Sequence, residues 1–224
     1  EISLGLVGSE MCIRDSMGTD AIVMRHSAEG APLYATKAVD PIIINAGDGA
    51  HEHPTQALLD MYSILEKKES LEGLKVVIIG DIMHSRVARS NIYGLTKMGA
   101  DVHLAGPRTM VYPELEKLGV TVHHDIREAV ANADVVNVLR IQLERIHSAL
   151  YPTNREYARI FGINNEVLKL AKDDVMVMHP GPMNRGLEIA PDVAYSDQSV
   201  IQEQVRNGVA VRMAVLYLTI IGGD

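Results

Sequence analysis

The sequence has 224 residues with a formal net charge of −8, and 47% of them are hydrophobic, enough for a sizeable core in one large domain or two small ones. Because the phosphates of a nucleic acid bind basic surfaces, this charge argues against a nucleic-acid partner. The single cysteine, Cys12, excludes an intrachain disulfide framework and a thiolate metal cluster, and fits a cytoplasmic protein.

Neither end of the sequence predicts a membrane segment. The first residues, EISLGLVGSEMCIRDS, lack the basic region and the long apolar core of a signal peptide. The most apolar stretch, VAVRMAVLYLTIIGG, is shorter than the roughly 18 residues of a membrane helix and contains Arg212. It therefore predicts a buried or half-buried helix.

Short runs rich in Val and Ile alternate with helical patterns along the chain. These runs predict seven strands, which cover 20–25, 41–45, 74–81, 100–107, 120–125, 133–140 and 174–180. The first two of these strands are predicted to be buried. Between them, apolar residues at helical spacing predict a helix over 88–99 that stops at Gly99. This alternation implies crossover connections, and so an α/β fold with a doubly wound, mostly parallel sheet and helices on both faces.

The segments that follow the predicted strands are the places where open α/β sheets bind ligands. These segments cover 25–26, 45–53, 81–86, 106–108, 140–142 and 179–185, and four carry an arginine near the strand end. Guanidinium groups bind carboxylates and phosphates through paired hydrogen bonds, so the set indicates an anionic ligand. The alternative is that they are solvated charges at loop edges. GxGxxG and GxxxxGK[ST] fingerprints are absent.

The stretch INAGDGAHEHPTQALLD predicts a loop that enters a helix at Pro54. His51 and His53 invite a metal interpretation, but no third ligand lies at a diagnostic spacing, so we expect no metal here. The positive end of the helix dipole favours a neutral imidazole at His53, which with Gln56 suits a carbonyl-bearing substrate. From local sequence alone, a capping histidine and a solvent-facing glutamine are equally compatible.

A second unusual stretch, MHPGPMNRGLEI, follows the last predicted strand. Prolines on both sides of Gly181 fix an irregular backbone, whose carbonyls could accept hydrogen bonds from a ligand N–H. The alternative is a rigid turn and nothing more.

Five stretches in this order and spacing resemble the aspartate carbamoyltransferase family: MRHSAEGAP, INAGDGAHEHPTQALLDMYSI, VVIIGDIMHSRVARSN, VLRIQLER and MHPGPMNRGLEI. The resemblance runs from about Met17 to the C-terminus. Ornithine carbamoyltransferases share the fold and an HPxQ element, but normally have HCLP where this chain has His179-Pro180-Gly181-Pro182. The DSMG stretch at 15–18 echoes an ornithine-family motif at the wrong end of the chain.

The resemblance implies carbamoyl transfer from carbamoyl phosphate to L-aspartate, on the route to pyrimidines. It implies a role for each of several residues. Arg25 would bind the phosphate side of carbamoyl phosphate, His53 its carbonyl oxygen and Gln56 its amide end, while the Gly181 and Pro182 carbonyls would receive the NH₂ group. Arg86 and Arg140 would hold the aspartate carboxylates with help from Gln142. The reaction needs no metal, no cofactor and no covalent intermediate, because positioning and electrostatics supply the rate.

The resemblance also implies a domain organisation. Residues 1–16 match nothing expected upstream and read as a non-native junction. Residues 17–53 would be the remnant of a carbamoyl-phosphate-binding α/β domain, and 54–224 the aspartate-binding domain, whose final helix returns toward the first domain and exposes apolar surface. We expect this chain to be inactive or nearly so alone and prone to associate. The family forms homotrimers, some with regulatory chains. A catalytically dead module that binds an amino acid or a partner enzyme is the alternative.

Overall fold

All seven predicted strands form, and all of their pairings are parallel within residues 18–141 and 151–222, the part of the chain that the computed structural model describes. The strands are β1 (Ala21–His26), β2 (Ile42–Asp48), β3 (Lys75–Ile79), β4 (Asp101–Ala105), β5 (Thr121–His123), β6 (Val135–Val138) and β7 (Met176–Met178). The α-helices are α1 (Ala31–Ala35), α2 (Pro54–Lys68), α3 (Arg86–Lys97), α4 (Ile126–Val130), α5 (Asn154–Phe161), α6 (Asn165–Leu168), α7 (Pro191–Ala194) and α8 (Ile201–Ile220), and a 3₁₀ helix covers Pro113–Leu118.

Five strands form a doubly wound sheet in the order β5-β4-β3-β6-β7, which confirms the predicted α/β fold. The chain builds outward from β3 to β5 and then returns to place β6 on the other side of β3. Ligands bind at such a reversal, outside the carboxyl ends of the strands. This topology directs attention to the segments after β3 and β6, which begin at Gly80 and Leu139.

Alternating side chains of β3 fill two cores, one on each face of the five-stranded sheet. Val76 and Ile78 pack into a core that includes Ile92 and Leu95 of α3. Val77 and Ile79 pack into the opposite core, with residues of α4, α6 and α7. Because successive residues of a strand point to opposite faces, a strand buried on both faces reads as a continuous apolar run, as VVII does here.

The helix starts that matter for the site follow from local sequence. α2 begins at Pro54, as predicted, with His53 as its N-cap. α3 begins after Ser85, whose hydroxyl accepts a hydrogen bond from the Ala88 amide at 3.2 Å. α3 ends at Lys97, and Gly99 follows with φ 81°, which confirms its predicted role as a stop.

The first two strands form a separate two-stranded sheet, and the prediction that they are buried is wrong for β1. Val23 of β1 is 61% exposed, and Ile42, the first residue of β2, is 36% exposed. Among the described residues, β1 and β2 pair only with each other, and the exposure of Val23 shows that one face of this sheet is incompletely covered. α1 packs against both strands.

The final helix α8 packs its first half on α2 and exposes its second half. Gln204, Asn207 and Gly208 are buried, whereas Met213 is 64% exposed and Leu218 is 63% exposed. The prediction of a buried or half-buried helix is therefore wrong beyond Gly208, since no described element covers that part. The predicted exposure of apolar surface is confirmed. No helix among the described residues has both the length and the apolar character required to span a membrane.

Candidate functional site

A cavity of about 560 Å³ opens where the small sheet meets the start of α3. It is lined by Arg25 and His26 at the end of β1 and by Ser27 after it, by Gly49 and Ala50 after β2, and by Arg86 at the first position of α3. Two of the predicted site arginines thus share one cavity although one lies on the two-stranded sheet and the other follows a strand of the five-stranded sheet. A cavity lined by two guanidinium groups suits an anion.

Arg86 is only 8% exposed, and glycine makes room for its guanidinium group. A Cβ atom at Gly47 would lie 2.6 Å from Arg86 Cζ, and Gly47 has φ 133°, which L residues rarely adopt. Arg86 Nη1 donates to the Gly49 carbonyl oxygen at 3.4 Å. The Gly-Asp-Gly turn, which is Gly47, Asp48 and Gly49 at the end of β2, therefore brings backbone against the arginine, a contact that a larger residue at position 47 would prevent.

Asp48, between those glycines, holds the neighbouring loops in place. Its Oδ1 accepts from the Gly30 amide at 2.8 Å, and its Oδ2 lies 3.0 Å from His51 Nδ1. His51 is thus a loop-fixing residue. Over the described ranges, no group of three or more His, Cys, Asp or Glu side chains is arranged to hold a metal ion.

His53 lies between two helix starts and occupies the N-cap position of α2, but its side chain makes no capping hydrogen bond. Its backbone amide donates to Ser90 Oγ of α3 at 2.9 Å, which fixes α2 against α3. Its Nδ1 is buried and has no hydrogen-bond partner in the described part of the chain. Burial, followed by the charges of Arg86, Arg212 and Arg25, lowers the pKa of His53 from 6.5 to about 4.

Gln56 is 7% exposed, so the solvent-facing alternative is wrong. Its Nε2 donates to Asp60 Oδ1 at 3.0 Å, one turn further along α2. Asp60 is fully buried and also accepts hydrogen bonds from Asn91 of α3 at 2.7 Å and from Gln204 of α8 at 2.9 Å. Burial raises the pKa of Asp60 from 3.8 to about 6, although these hydrogen bonds oppose the shift.

A buried pair of side chains, His179 and Glu188, supports the loop after β7. His179 Nε2 lies 3.2 Å from Glu188 Oε1, and His179 Nδ1 accepts from the Gly181 amide at 2.9 Å. Gly181 and Pro182 are exposed, and a cis peptide bond joins them. Their carbonyl groups are thus presented at the carboxyl edge of the sheet by a fixed support.

Arg140 lies at the same edge, after β6, and is half-buried. Asn184 Nδ2 donates to the Ile141 carbonyl oxygen at 2.8 Å, so the loop after β7 contacts the segment after β6. Gln142 falls outside the described residues. Arg140, Gly181 and Pro182 lie outside the lining of the cavity that Arg25 and Arg86 share.

Two residues near the site have no role in the sequence interpretation. Asp60 lies at i+4 from Gln56, a helical spacing that could have flagged it. Arg212 is the single charge within the apolar stretch of α8, and its charge contributes to the lowered pKa of His53. Its Nη1 donates to the Gly208 carbonyl oxygen at 2.9 Å.

The arrangement can bind an anion and polarise a carbonyl group. Above about pH 5, His53 is neutral because its pKa is near 4, and a neutral imidazole can donate one N–H without adding charge. The guanidinium groups of Arg25 and Arg86 supply the positive charge. Such donors, fixed before the substrate arrives, stabilise negative charge that develops during a reaction.

Two family models match this chain. The model described as aspartate/ornithine carbamoyltransferase, Asp/Orn binding domain, matches residues 72–219. The model described as aspartate/ornithine carbamoyltransferase, carbamoyl-P binding domain, matches residues 11–66.

Curated relatives are about 60% identical to this chain over the aligned residues. The aspartate carbamoyltransferase catalytic subunit of Desulforamulus reducens is 60% identical over 209 residues, which cover 93% of this chain and 67% of the relative. The subunit of the same description from Ruminiclostridium cellulolyticum is 63% identical over 204 residues, which cover 91% of this chain and 65% of the relative. The chain thus spans about two thirds of the length of these relatives.

Solved structures with the same fold come from both branches of the family. Aspartate transcarbamoylase from Trypanosoma cruzi in complex with phosphate has a TM-score of 0.82 at 30% identity, covering 97% of this chain and 72% of that chain. Its complex with carbamoyl phosphate and aspartate has a TM-score of 0.80, covering 94% and 70%. Ornithine carbamoyltransferase from Pyrococcus furiosus has a TM-score of 0.82 at 30% identity, covering 97% and 71%.

Proposed function

Because this chain belongs to the aspartate/ornithine carbamoyltransferase family, we propose that it binds carbamoyl phosphate and L-aspartate for transfer of the carbamoyl group, giving N-carbamoyl-L-aspartate and phosphate. The observation that carries the proposal is the convergence of Arg25, Arg86 and His53. Two guanidinium groups line one cavity, and their charges act on an imidazole whose pKa is lowered to about 4. Two anionic substrates that meet at a carbonyl carbon need this combination.

In the proposed reaction, the aspartate amine attacks the carbamoyl carbon and forms the new C–N bond. Negative charge builds on the carbamoyl oxygen, where the N–H of His53 stabilises it. The C–O bond to phosphate then breaks, and the departing phosphate takes the proton that the amine releases. Arg25 binds the phosphate, while Arg86 and Arg140 bind the two carboxylates of aspartate. Gln142 completes this proposed set.

Aspartate is favoured over ornithine as the acceptor. The curated relatives described above are aspartate carbamoyltransferase catalytic subunits. In addition, arginines at both proposed acceptor positions match the two carboxylates of aspartate, whereas ornithine has one carboxylate and a cationic side chain. The Gly181 and Pro182 carbonyls are proposed to accept hydrogen bonds from the carbamoyl NH₂ group.

Calorimetric titration of the chain with two bisubstrate analogues tests the proposal. N-(phosphonacetyl)-L-aspartate should bind at least tenfold more tightly than either L-aspartate alone or the matching phosphonacetyl-L-ornithine. Equal or tighter binding of the ornithine analogue would contradict the choice of acceptor. If N-(phosphonacetyl)-L-aspartate binds no more tightly than L-aspartate, the phosphonate adds nothing to the affinity. That result would favour the alternative of an amino-acid-binding module.

We also propose that the protein assembles as a homotrimer in the cytoplasm. The exposed apolar residues of α8, such as Met213 and Leu218, are compatible with association. Light scattering after size-exclusion chromatography measures the assembly, and cell fractionation measures the location. A monomer at micromolar concentration would contradict the first part.

A further inference from the structure

A buried carboxylate lies behind the candidate site and takes no part in the proposed reaction. Asp60 is 1% exposed, and the side chains that hydrogen-bond to it are Gln56 of α2, Asn91 of α3, Asn137 of β6 and Gln204 of α8. None of these four side chains is titratable. Each has a side-chain amide that can donate, so both carboxylate oxygens of Asp60 act as acceptors.

The partners of Asp60 connect separate parts of the candidate site. Gln56 is a proposed ligand of carbamoyl phosphate, and Asn91 lies on the helix that begins with Arg86. Gln204 donates from Nε2 to Asp60, and its Oε1 accepts from the backbone amide of His179 at 2.9 Å. His179 Nδ1 in turn accepts from the Gly181 amide. A chain of hydrogen bonds thus runs from Gln56 through Asp60 to the Gly181–Pro182 loop.

The carboxylate also decides how the Gln56 amide is oriented. An ionised carboxylate can only accept, so the NH₂ group of Gln56 must face Asp60 and its Oε1 must face away. No described residue donates a hydrogen bond to that Oε1. The Gln56 carbonyl oxygen is therefore available to accept from an N–H of a ligand.

We propose that Asp60 is a positioning residue that turns the Gln56 carbonyl oxygen toward the substrate and, through Gln204, aligns it with the Gly181–Pro182 carbonyls. This inference rests on the proposed function. The three acceptors together would recognise the NH₂ group of carbamoyl phosphate and reject an isosteric acyl phosphate that lacks it. A site built to hydrogen-bond an N–H rejects analogues without one, because its buried acceptors are left unpaired.

The raised pKa of Asp60 supports a role other than stability. Burial shifts the pKa upward even though several donors surround the carboxylate, so the ionised form is less favourable in the folded protein than in the unfolded chain. Titratable groups whose pKa is perturbed by burial cluster at functional sites.

The side-chain amide of Gln56 tests the positioning without any ligand. In ¹⁵N-labelled protein, the Gln56 NH₂ resonances should shift on acidification with the same midpoint as the Asp60 carboxyl signal. They should also shift in Asp60→Asn, where one acceptor oxygen replaces two. Gln56 resonances that are insensitive to both changes would overturn the proposal, and the wild-type titration gives this answer even if the variant fails to fold.

Ligand discrimination tests the specificity role. Acetyl phosphate carries a methyl group where carbamoyl phosphate has NH₂, so the ratio of the two affinities isolates recognition of that group. The wild type should prefer carbamoyl phosphate by about tenfold, and Asp60→Asn should prefer neither while keeping its affinity for acetyl phosphate. Glu66→Gln is the matched control, because Glu66 also lies on α2 and bonds α8, accepting from Asn207 at 2.9 Å.

Each outcome separates the two proposals. If Asp60→Asn keeps the wild-type preference, the role of Asp60 is wrong and the proposed function stands. If Glu66→Gln loses the preference as well, the α2–α8 contact in general is responsible and the specific role of Asp60 is wrong. If the wild type binds neither phosphate, the proposed function fails, and the specificity role of Asp60 fails with it.

Discussion

The two sheets contribute to one candidate site, yet they are stabilised in different ways. Val77 at the centre of the five-stranded sheet is fully buried in one of the two cores, whereas Val23 of the two-stranded sheet is 61% exposed. Arg86 follows the strand that contains Val77, and Arg25 lies on the strand that contains Val23. One wall of the cavity is therefore built on a packed core and the other on a half-covered sheet.

The comparison shows that the small sheet is held in place at the site itself. The Gly49 amide donates to the His26 carbonyl oxygen at 2.9 Å, and the Gly49 carbonyl oxygen accepts from Arg86. The Gly-Asp-Gly turn thus ties β1 to β2 and both to α3. Changes in this turn should affect ligand binding more than changes elsewhere in the small sheet.

The largest effect is expected from Gly47→Ala. The added Cβ would meet the Arg86 guanidinium at 2.6 Å, and the residue would have to keep φ 133°. We expect affinity for N-(phosphonacetyl)-L-aspartate to fall about 100-fold, which is about 2.7 kcal/mol, as measured by calorimetry.

Gly73→Ala is the control, because Gly73 also has positive φ, at 74°, but a Cβ there would meet nothing within 4 Å. It should destabilise the fold slightly through backbone strain and leave affinity unchanged. Equal losses of affinity in both variants would show that strain, rather than displacement of Arg86, is the cause.

The next effect separates the two sheets by stability. Val77→Ala should lower the free energy of unfolding by about 2 kcal/mol, because it leaves a cavity in a filled core. Val23→Ala should change it by less than about 0.5 kcal/mol, because the side chain is exposed. Urea unfolding followed by circular dichroism measures both, and similar losses would contradict the described difference in burial.

The smallest effect is a pH dependence that His53 imposes on stability. Its folded pKa is lowered from 6.5 to about 4, so on acidification the unfolded chain takes up a proton that the folded chain refuses. The stability that neutral His53 contributes is present above pH 6.5 and is lost as the pH falls toward 4.

Between pH 7 and pH 5, these two pKa values correspond to a loss of at most about 2 kcal/mol. Because His53 is partly exposed and solvent weakens the shift, we expect the wild type to lose about 1 kcal/mol more stability than His53→Gln. Both proteins keep Asp60, whose raised pKa acts in the opposite direction, so its contribution cancels in the comparison. Parallel losses in the two proteins would show that the pKa of His53 is not lowered.

The sequence predicts the strands and helix starts well because these depend on local patterns. Runs such as VVII are typical of strands buried on both faces, and Pro54 and Gly99 mark helix ends through their backbone preferences. Burial of β1 could not be predicted in this way. Its residues alone do not reveal which elements cover them, and Val23 would suit either a buried or an exposed face.

The candidate site follows the same rule. Arg25, Arg86 and Arg140 could be predicted because each lies at or after the carboxyl end of a strand, and topology brings strand ends together. The contact of Asp60 with Gln204 could not, since it joins residues 144 positions apart and neither residue has a local signature. Arg212 offered a weak signal as one charge in an apolar run, without indicating that it acts on His53.

The central claim is that arginines from both sheets form one anion-binding site, and single substitutions measured by calorimetry test it most directly. Arg25→Gln and Arg86→Gln should each weaken binding of N-(phosphonacetyl)-L-aspartate at least tenfold, about 1.4 kcal/mol. Arg108→Gln is the control, because Arg108 also follows a strand but is exposed and lies outside the cavity lining. The affinity of this variant for N-(phosphonacetyl)-L-aspartate should match that of the wild type. Wild-type affinity in Arg25→Gln would contradict the claim, because the small sheet would then contribute no charge to the site.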